Sequence, residues 1–186
     1  RSRRKKKKKK KTVWNQTPLL LKKVKTLRAP TRGMDKGCLA RLKAARIPFS
    51  ILGGIKLVKT PIKLRTSKLG GVVYRRAWNN KTAPWILDCK TVENLILAGP
   101  YLRKRGIASV YWTSAWRHSL VHGKKVLSKH AYGRAIDITA LDGSFGYATL
   151  VNHWERGCSG CGRNCRTRKG RVLRAFICAI RGSKLF

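Results

Sequence analysis

The spacing of apolar residues along the chain predicts three helices. They are expected over residues 35–46, 88–105 and 171–181. Apolar side chains recur there every three or four positions, and Asp35 and Asp88 stand where they can cap the first two helices. Pro48 follows the end of the first helix, and Pro100 is expected to bend or split the second. The helices are therefore amphipathic and separated by segments of a different pattern.

The intervening segments have the composition and alternation of β-strands. Strands are expected over residues 51–64, 72–74, 107–115 and 135–141. Glycine pairs at positions 53–54 and 70–71 mark turns. Helices segregated against a small, mainly antiparallel sheet predict an α+β domain.

Length and charge divide the chain into two parts. The 186 residues allow one folded domain of about 150 residues, and a hydrophobic content of 42% indicates a globular body. Ten of the first eleven residues are Lys or Arg, a run that repels itself. We therefore expect a basic, largely disordered segment, residues 1–35, followed by a folded domain, residues 36–186. No apolar run has the length of a secretion signal or of a membrane span, so we expect neither within this sequence.

Positive charge is also a property of the predicted domain. Without the first eleven residues, 35 basic residues stand against six acidic ones, a net charge of +29. Such a surface is expected to bind polyanions through counterion release. Nucleic acid, teichoic-type polymers, acidic polysaccharide and anionic membranes all qualify, and the sequence does not discriminate among them. The six Trp residues could stack on bases or sugars, although single Trp residues are more often packing residues.

The densest chemical pattern is the run Ser128-x-His130-x-x-Gly133-x-Ala135-x-Asp137. On a strand, the apolar neighbours of Asp137 would point to the core while its carboxylate faces a cleft. Gly133 allows the preceding loop to fold back, so that the His130 imidazole and the Asp137 carboxylate meet. Both groups are normal zinc ligands. Alternatively, His130 is an ordinary loop residue and Asp137 pairs with an Arg or Lys.

The same run resembles the signature of the zinc D-Ala-D-Ala carboxypeptidase superfamily, whose fold is shared by the hedgehog signalling domain. Three further segments of the sequence are similar to the extensin-like C-terminal domain family of bacteria, and they occur in the same order as in that family. These segments are residues 38–49, 69–74 and 83–89. The resemblance implies a hedgehog/DD-peptidase-like fold and a zinc cofactor bound by His130 and Asp137. It also implies that Arg117 stabilises the charged transition state and that Ser128 and Gly133 support the metal ligands.

The resemblance is incomplete towards the C-terminus. In the superfamily, a later His-x-His supplies the third zinc ligand with a general base close by, and no such segment follows Asp137. We therefore expect a C-terminally incomplete domain that is inactive as it stands. His153 is expected to be a packing residue, and Glu155 a solvated surface residue.

Six cysteines allow two interpretations. They are Cys38, Cys89, Cys158, Cys161, Cys165 and Cys178. The last four could form a thiolate zinc or iron–sulfur site. Alternatively, the even number fits three disulfides formed in an oxidising compartment, and the envelope association of the resembled family favours this. Cys38 and Cys89 are the natural long-range pair, and a periplasmic or extracellular location is expected.

Two classes of function follow from these patterns. The first is a zinc peptidase-like domain that hydrolyses amide bonds, with peptidoglycan stem peptides as the implied substrate. The second is a non-catalytic cationic module that binds polyanions. A His-x-His encoded further downstream would support the enzyme, and its absence would support the binding module.

Overall fold

Two β-sheets and four helices are found in the computed structural model among the residues that it describes, 33–79, 85–158 and 160–182. The helices are α1 (Lys36–Ala44), α2 (Cys89–Lys104), α3 (Leu150–His153) and α4 (Arg168–Gly182). The strands are β1 (Phe49–Ile51), β2 (Pro61–Leu64), β3 (Lys68–Leu69), β4 (Val72–Arg76), β5 (Trp85–Asp88), β6 (Ile107–Ser114), β7 (Asp137–Gly143) and β8 (Ala148–Thr149). The predicted α+β class is confirmed. The basic segment 1–35 was expected to be largely disordered. Residues 1–32 of it lie outside the described residues, so that expectation stays a prediction.

The strands form two sheets where the sequence predicted one. A three-stranded antiparallel sheet has the order β1-β2-β5, and a five-stranded sheet has the order β3-β4-β6-β7-β8. All neighbours in the larger sheet are antiparallel except β4 and β6, which are parallel. The single strand predicted over residues 51–64 is wrong. Residues 52–60, which include the Gly53-Gly54 pair, form a loop that connects β1 to β2, and these two strands pair antiparallel.

Helix α2 contacts strands of both sheets. Asp88 caps it by accepting a hydrogen bond from the Lys90 backbone at 3.0 Å. The helix is continuous through Pro100, so the predicted split is wrong. Pro100 cannot donate to the Ile96 carbonyl, and that carbonyl packs instead against Gly70, where a side chain would not fit. No helix of the described residues is long and apolar enough to cross a membrane.

Helix α1 is fixed to α2 by covalent and ionic contacts. Asp35 caps α1 by accepting from the Cys38 backbone at 2.8 Å, as predicted. Cys38 and Cys89 form the expected long-range disulfide. Beside it, Glu93 of α2 pairs with Arg41 and with a neighbouring lysine, and the bond to the Arg41 guanidinium lowers the pKa of Glu93. The start of the domain is therefore held against the central helix.

The C-terminal part contains the other two disulfides, Cys158–Cys165 and Cys161–Cys178. Because all six thiols are paired, the alternative of a thiolate metal site is wrong.

His153, expected to be a packing residue, and Glu155, expected to be a solvated surface residue, both support helix ends. His153 accepts a hydrogen bond from the Thr149 backbone at 3.1 Å and so supports α3, which agrees with a structural role. Glu155 is more than a solvated residue, because it accepts from the Arg166 and Thr167 backbones at 2.7 and 2.8 Å just before α4.

Candidate functional site

The site predicted from the sequence motif lies where β6 ends and β7 begins. Ser114 and Asp137 face each other in the register of these two strands. The register shifts between Trp112 and Ser114, and such bulges redirect side chains at the ends of strands. The structure brings His130, Asp137 and Arg117 together at this point.

A short 3₁₀ helix, Lys129–Tyr132, carries His130 into the site. Ser128 caps it, and Gly133 ends it with a φ of 65°, the left-handed conformation that the loop was expected to need. The Gly133 carbonyl accepts hydrogen bonds from the Asp88 backbone at 3.0 Å and from the Thr91 hydroxyl at 2.9 Å. The loop that holds His130 is thus anchored on the first turn of α2.

His130 is buried, and both of its ring nitrogens face oxygen atoms. Its side chain is 7% exposed. Nδ1 lies against the backbone carbonyl of Ala115, and Nε2 lies 3.0 Å from Oδ1 of Asp137. Because a carbonyl oxygen only accepts, Nδ1 must carry a proton. In a neutral imidazole, Nε2 then presents a lone pair to a carboxylate oxygen, so a proton or another cation must lie between them.

Arg117 occupies the other oxygen of the Asp137 carboxylate. Its Nη1 lies 2.8 Å from Oδ2 of Asp137 and 2.6 Å from the hydroxyl of Ser114, while Nε donates to Ser119 at 3.3 Å. The Arg117 and Asp137 side chains are 47% and 44% exposed, so the ion pair is open to solvent. Asp137 therefore forms the ion pair with an arginine that the sequence left as one alternative, and its other oxygen contacts His130.

The third ligand of a zinc site is not among the described residues. Over residues 33–79, 85–158 and 160–182, no three or more His, Cys, Asp or Glu side chains surround a common point. His153 bonds to the backbone of α3 instead. Among the described residues, the candidate ligands are therefore His130 and Asp137.

Sequence reasoning missed Ser114, Ser119 and the Ala115 carbonyl. The two serines fix the Arg117 guanidinium, and the carbonyl sets the tautomer of His130. Only the pairing of β6 with β7 brings these residues to the motif. The spacing of residues 114–119 itself carries no chemical signature that could have identified them.

Comparisons of the chain with protein-family models, with curated proteins and with solved structures find no match.

Proposed function

We propose that the chain is a zinc-dependent peptidase-like domain in which His130 and Asp137 hold the metal. The proposal rests on two hydrogen-bond acceptors that face each other, Nε2 of His130 and Oδ1 of Asp137. The Ala115 carbonyl fixes the proton of His130 on Nδ1, so the Nε2 lone pair and a carboxylate oxygen point at each other. A divalent cation bound to both atoms removes this conflict without requiring a charged imidazole.

The donor atoms fit zinc in type and spacing. Neutral imidazole and carboxylate are common zinc ligands, and two ligands of a tetrahedral zinc are about 3.3 Å apart at normal bond lengths. The separation of 3.0 Å between Nε2 of His130 and Oδ1 of Asp137 is close to that value. The Nδ1 contact of His130 with a backbone carbonyl is the usual outer contact of a zinc-bound histidine.

The residues of the cleft have distinct roles in the proposed hydrolysis of an amide bond. A bound zinc ion would polarise the scissile carbonyl and lower the pKa of a water molecule. Asp137 and His130 would hold that ion, and Ser128 fixes the turn that carries the imidazole. Arg117 lies beside the metal ligands with its Nη1 and Nε occupied, and its exposed guanidinium can stabilise a developing oxyanion.

The substrate class and location rest on the resemblance to extensin-like domains. Peptidoglycan stem peptides are the proposed substrate, and a periplasmic or extracellular location is proposed with them. Three disulfides support an oxidising compartment.

Zinc competition against a chromophoric chelator tests the metal site. We expect weak binding by residues 1–186, because two protein ligands leave the coordination sphere open. His130→Ala and Asp137→Asn should abolish it. His153→Ala should leave it unchanged, because the His153 imidazole bonds to the Thr149 backbone at α3. His122→Ala tests whether this exposed histidine of the adjacent loop contributes a further ligand. Equal zinc affinity in His130→Ala and the unaltered protein would refute the site. Tight stoichiometric binding would show that a further ligand exists.

A second candidate function is a cationic module that binds polyanions without catalysis. The net charge of +29 outside the first eleven residues favours it. Hydrolysis of a peptide ending in D-Ala-D-Ala, measured with and without zinc, separates the two functions. Zinc-dependent release of D-Ala that is lost in His130→Ala supports the peptidase. Because the chain is expected to be inactive without a third zinc ligand, absence of turnover alone does not decide between them. Polyanion binding by a protein that binds no zinc at His130 and Asp137 supports the module.

A further inference from the structure

A small β-hairpin projects beside the candidate site. Residues 119–128 form it, and we call it the 119–128 hairpin. The Ser128 backbone donates to the Ser119 carbonyl at 2.9 Å, and the Val121 backbone donates to the Val126 carbonyl at 2.7 Å. Leu120 and Leu127 face each other across the two strands. The hairpin therefore has a defined backbone independent of its side chains.

Three exposed side chains of the hairpin are aliphatic. Leu120 is 58% exposed, Val126 is 62% exposed and Val121 is 38% exposed. Side chains alternate along a strand, so Leu120 lies on the face of its bridge partner Leu127. Val121 and Val126 pair with each other and lie on the opposite face. Both faces of the hairpin therefore carry exposed aliphatic side chains, and such clusters mark interaction sites more often than single exposed residues do. The hairpin has no Phe, Tyr or Trp, so it lacks the stacking side chains that single-stranded nucleic acids use.

Positive charge lies at the tip of the hairpin. Lys124 and Lys125 stand at the tip, both exposed, next to Gly123 in the turn. No Asp or Glu occurs between Glu93 and Asp137. A surface that combines aliphatic side chains with lysines and lacks acidic groups is complementary to an anionic lipid bilayer, where the aliphatics reach the acyl boundary and the lysines reach phosphate.

We propose that the 119–128 hairpin docks on the surface of an anionic phospholipid bilayer and so places the adjacent cleft at the membrane. Ser119 at the base of the hairpin bonds to Arg117, and Ser128 at its other end caps the turn that carries His130. Docking would therefore hold the cleft close to the lipid surface, at a distance no greater than the length of the hairpin. This inference does not depend on the metal or on catalysis.

Vesicle co-sedimentation of the full chain tests the proposal. Vesicles of phosphatidylcholine with phosphatidylglycerol should bind the protein, and vesicles of phosphatidylcholine alone should bind it much more weakly. Leu120→Ser/Val126→Ser should lower binding to the anionic vesicles about tenfold or more, because these side chains lose their apolar contact. Lys124→Gln/Lys125→Gln should lower it about thirtyfold, at about fivefold for each lysine.

A matched control removes two exposed apolar side chains elsewhere. Leu97→Ser/Val151→Ser changes one leucine and one valine to serine, as the hairpin variant does. Its affinity for the vesicles should be within about twofold of that of the unaltered protein. Leu97 is 48% exposed and Val151 is 92% exposed. Heparin binding should be the same in the unaltered protein and both serine variants, because a soluble polyanion offers no acyl phase.

Three results would overturn the proposal. One is equal vesicle binding by the hairpin variant and the control variant, which would assign the binding to charge alone. Another is an equal loss of heparin and vesicle binding in the hairpin variant, which would make the hairpin a general polyanion contact. The third is complete loss of vesicle binding by the unaltered protein at about 1 M salt, where the Debye length is about 3 Å and an aliphatic contact should persist.

Discussion

Replacing Gly133 with alanine should destabilise the domain by more than its backbone conformation alone explains. Gly133 has a φ of 65°, and a Cβ atom there would lie 2.6 Å from the backbone nitrogen of Asp88. It would also lie 3.2 Å from the Leu87 carbonyl carbon and from Val58. The first contact is with backbone at the start of α2, which cannot rotate away as a flexible side chain would.

Two costs add up at this position. A non-glycine residue in the left-handed region costs about 1–2 kcal/mol. Forcing an extra carbon into packed backbone typically costs a further 1–3 kcal/mol or so. Gly146 provides the matched control, because its φ is 77° and a Cβ there would meet nothing within 4 Å. Gly146→Ala should therefore show only the first cost.

Urea unfolding of the unaltered protein and the two variants measures the difference. We expect Gly133→Ala to lower the free energy of unfolding by about 2–5 kcal/mol, and Gly146→Ala by about 1–2 kcal/mol. In a thermal melt each kcal/mol corresponds to about 2–4 °C for a domain of this size. An equal loss in the two variants would refute the reasoning, since it would mean that the loop at Gly133 moves away from α2 without cost.

Three other predictions concern the disulfide, the C-terminal part and the charge. Cys38→Ser/Cys89→Ser should lower the unfolding free energy by about 4 kcal/mol for a loop of this length, because the bridge spans 51 positions; a loss near zero in guanidinium unfolding would contradict this. Hydrogen bonds from Thr167 and Arg166 lower the pKa of Glu155, so its stabilising effect is full above the ordinary Glu pKa and is lost as the pH falls through the lowered value. Acid unfolding curves should therefore show a smaller loss of stability on acidification in Glu155→Gln than in the unaltered protein, and parallel curves would argue against it. Heparin binding should survive deletion of residues 1–11 and weaken steeply as the salt concentration rises. If titrations show that the deletion abolishes heparin binding, that binding belongs to residues 1–11 and not to the domain.

Local signals in the sequence predicted most of the helical structure. Asp35 and Asp88 stand immediately before α1 and α2, and both cap these helices. Capping depends on the residue and its next three neighbours, so it can be read directly from the sequence. Pro100 misled for the opposite reason, because its effect depends on a distant residue. Gly70, thirty positions away, packs against the carbonyl that Pro100 leaves without a donor.

The two sheets and the full site depend on contacts between distant segments. The motif predicted that His130 and Asp137 meet, because only seven positions separate them. The position of Arg117 against Asp137 depends on the pairing of β6 with β7 and on the bulge near Ser114. Strand register and bulges are set by packing of both partners, so no single segment contains them.

The buried carboxylate of Asp88 restricts how this sequence can change during evolution. Its Oδ1 accepts from the Lys90 backbone, and its Oδ2 accepts from the Thr60 backbone at 2.9 Å. An asparagine has the same shape but only one accepting oxygen, so its amide group would turn an N–H towards another N–H. A gene duplicate that drifts at most surface positions should therefore retain aspartate here, and relatives of this chain can be sought by that residue as well as by the histidine motif.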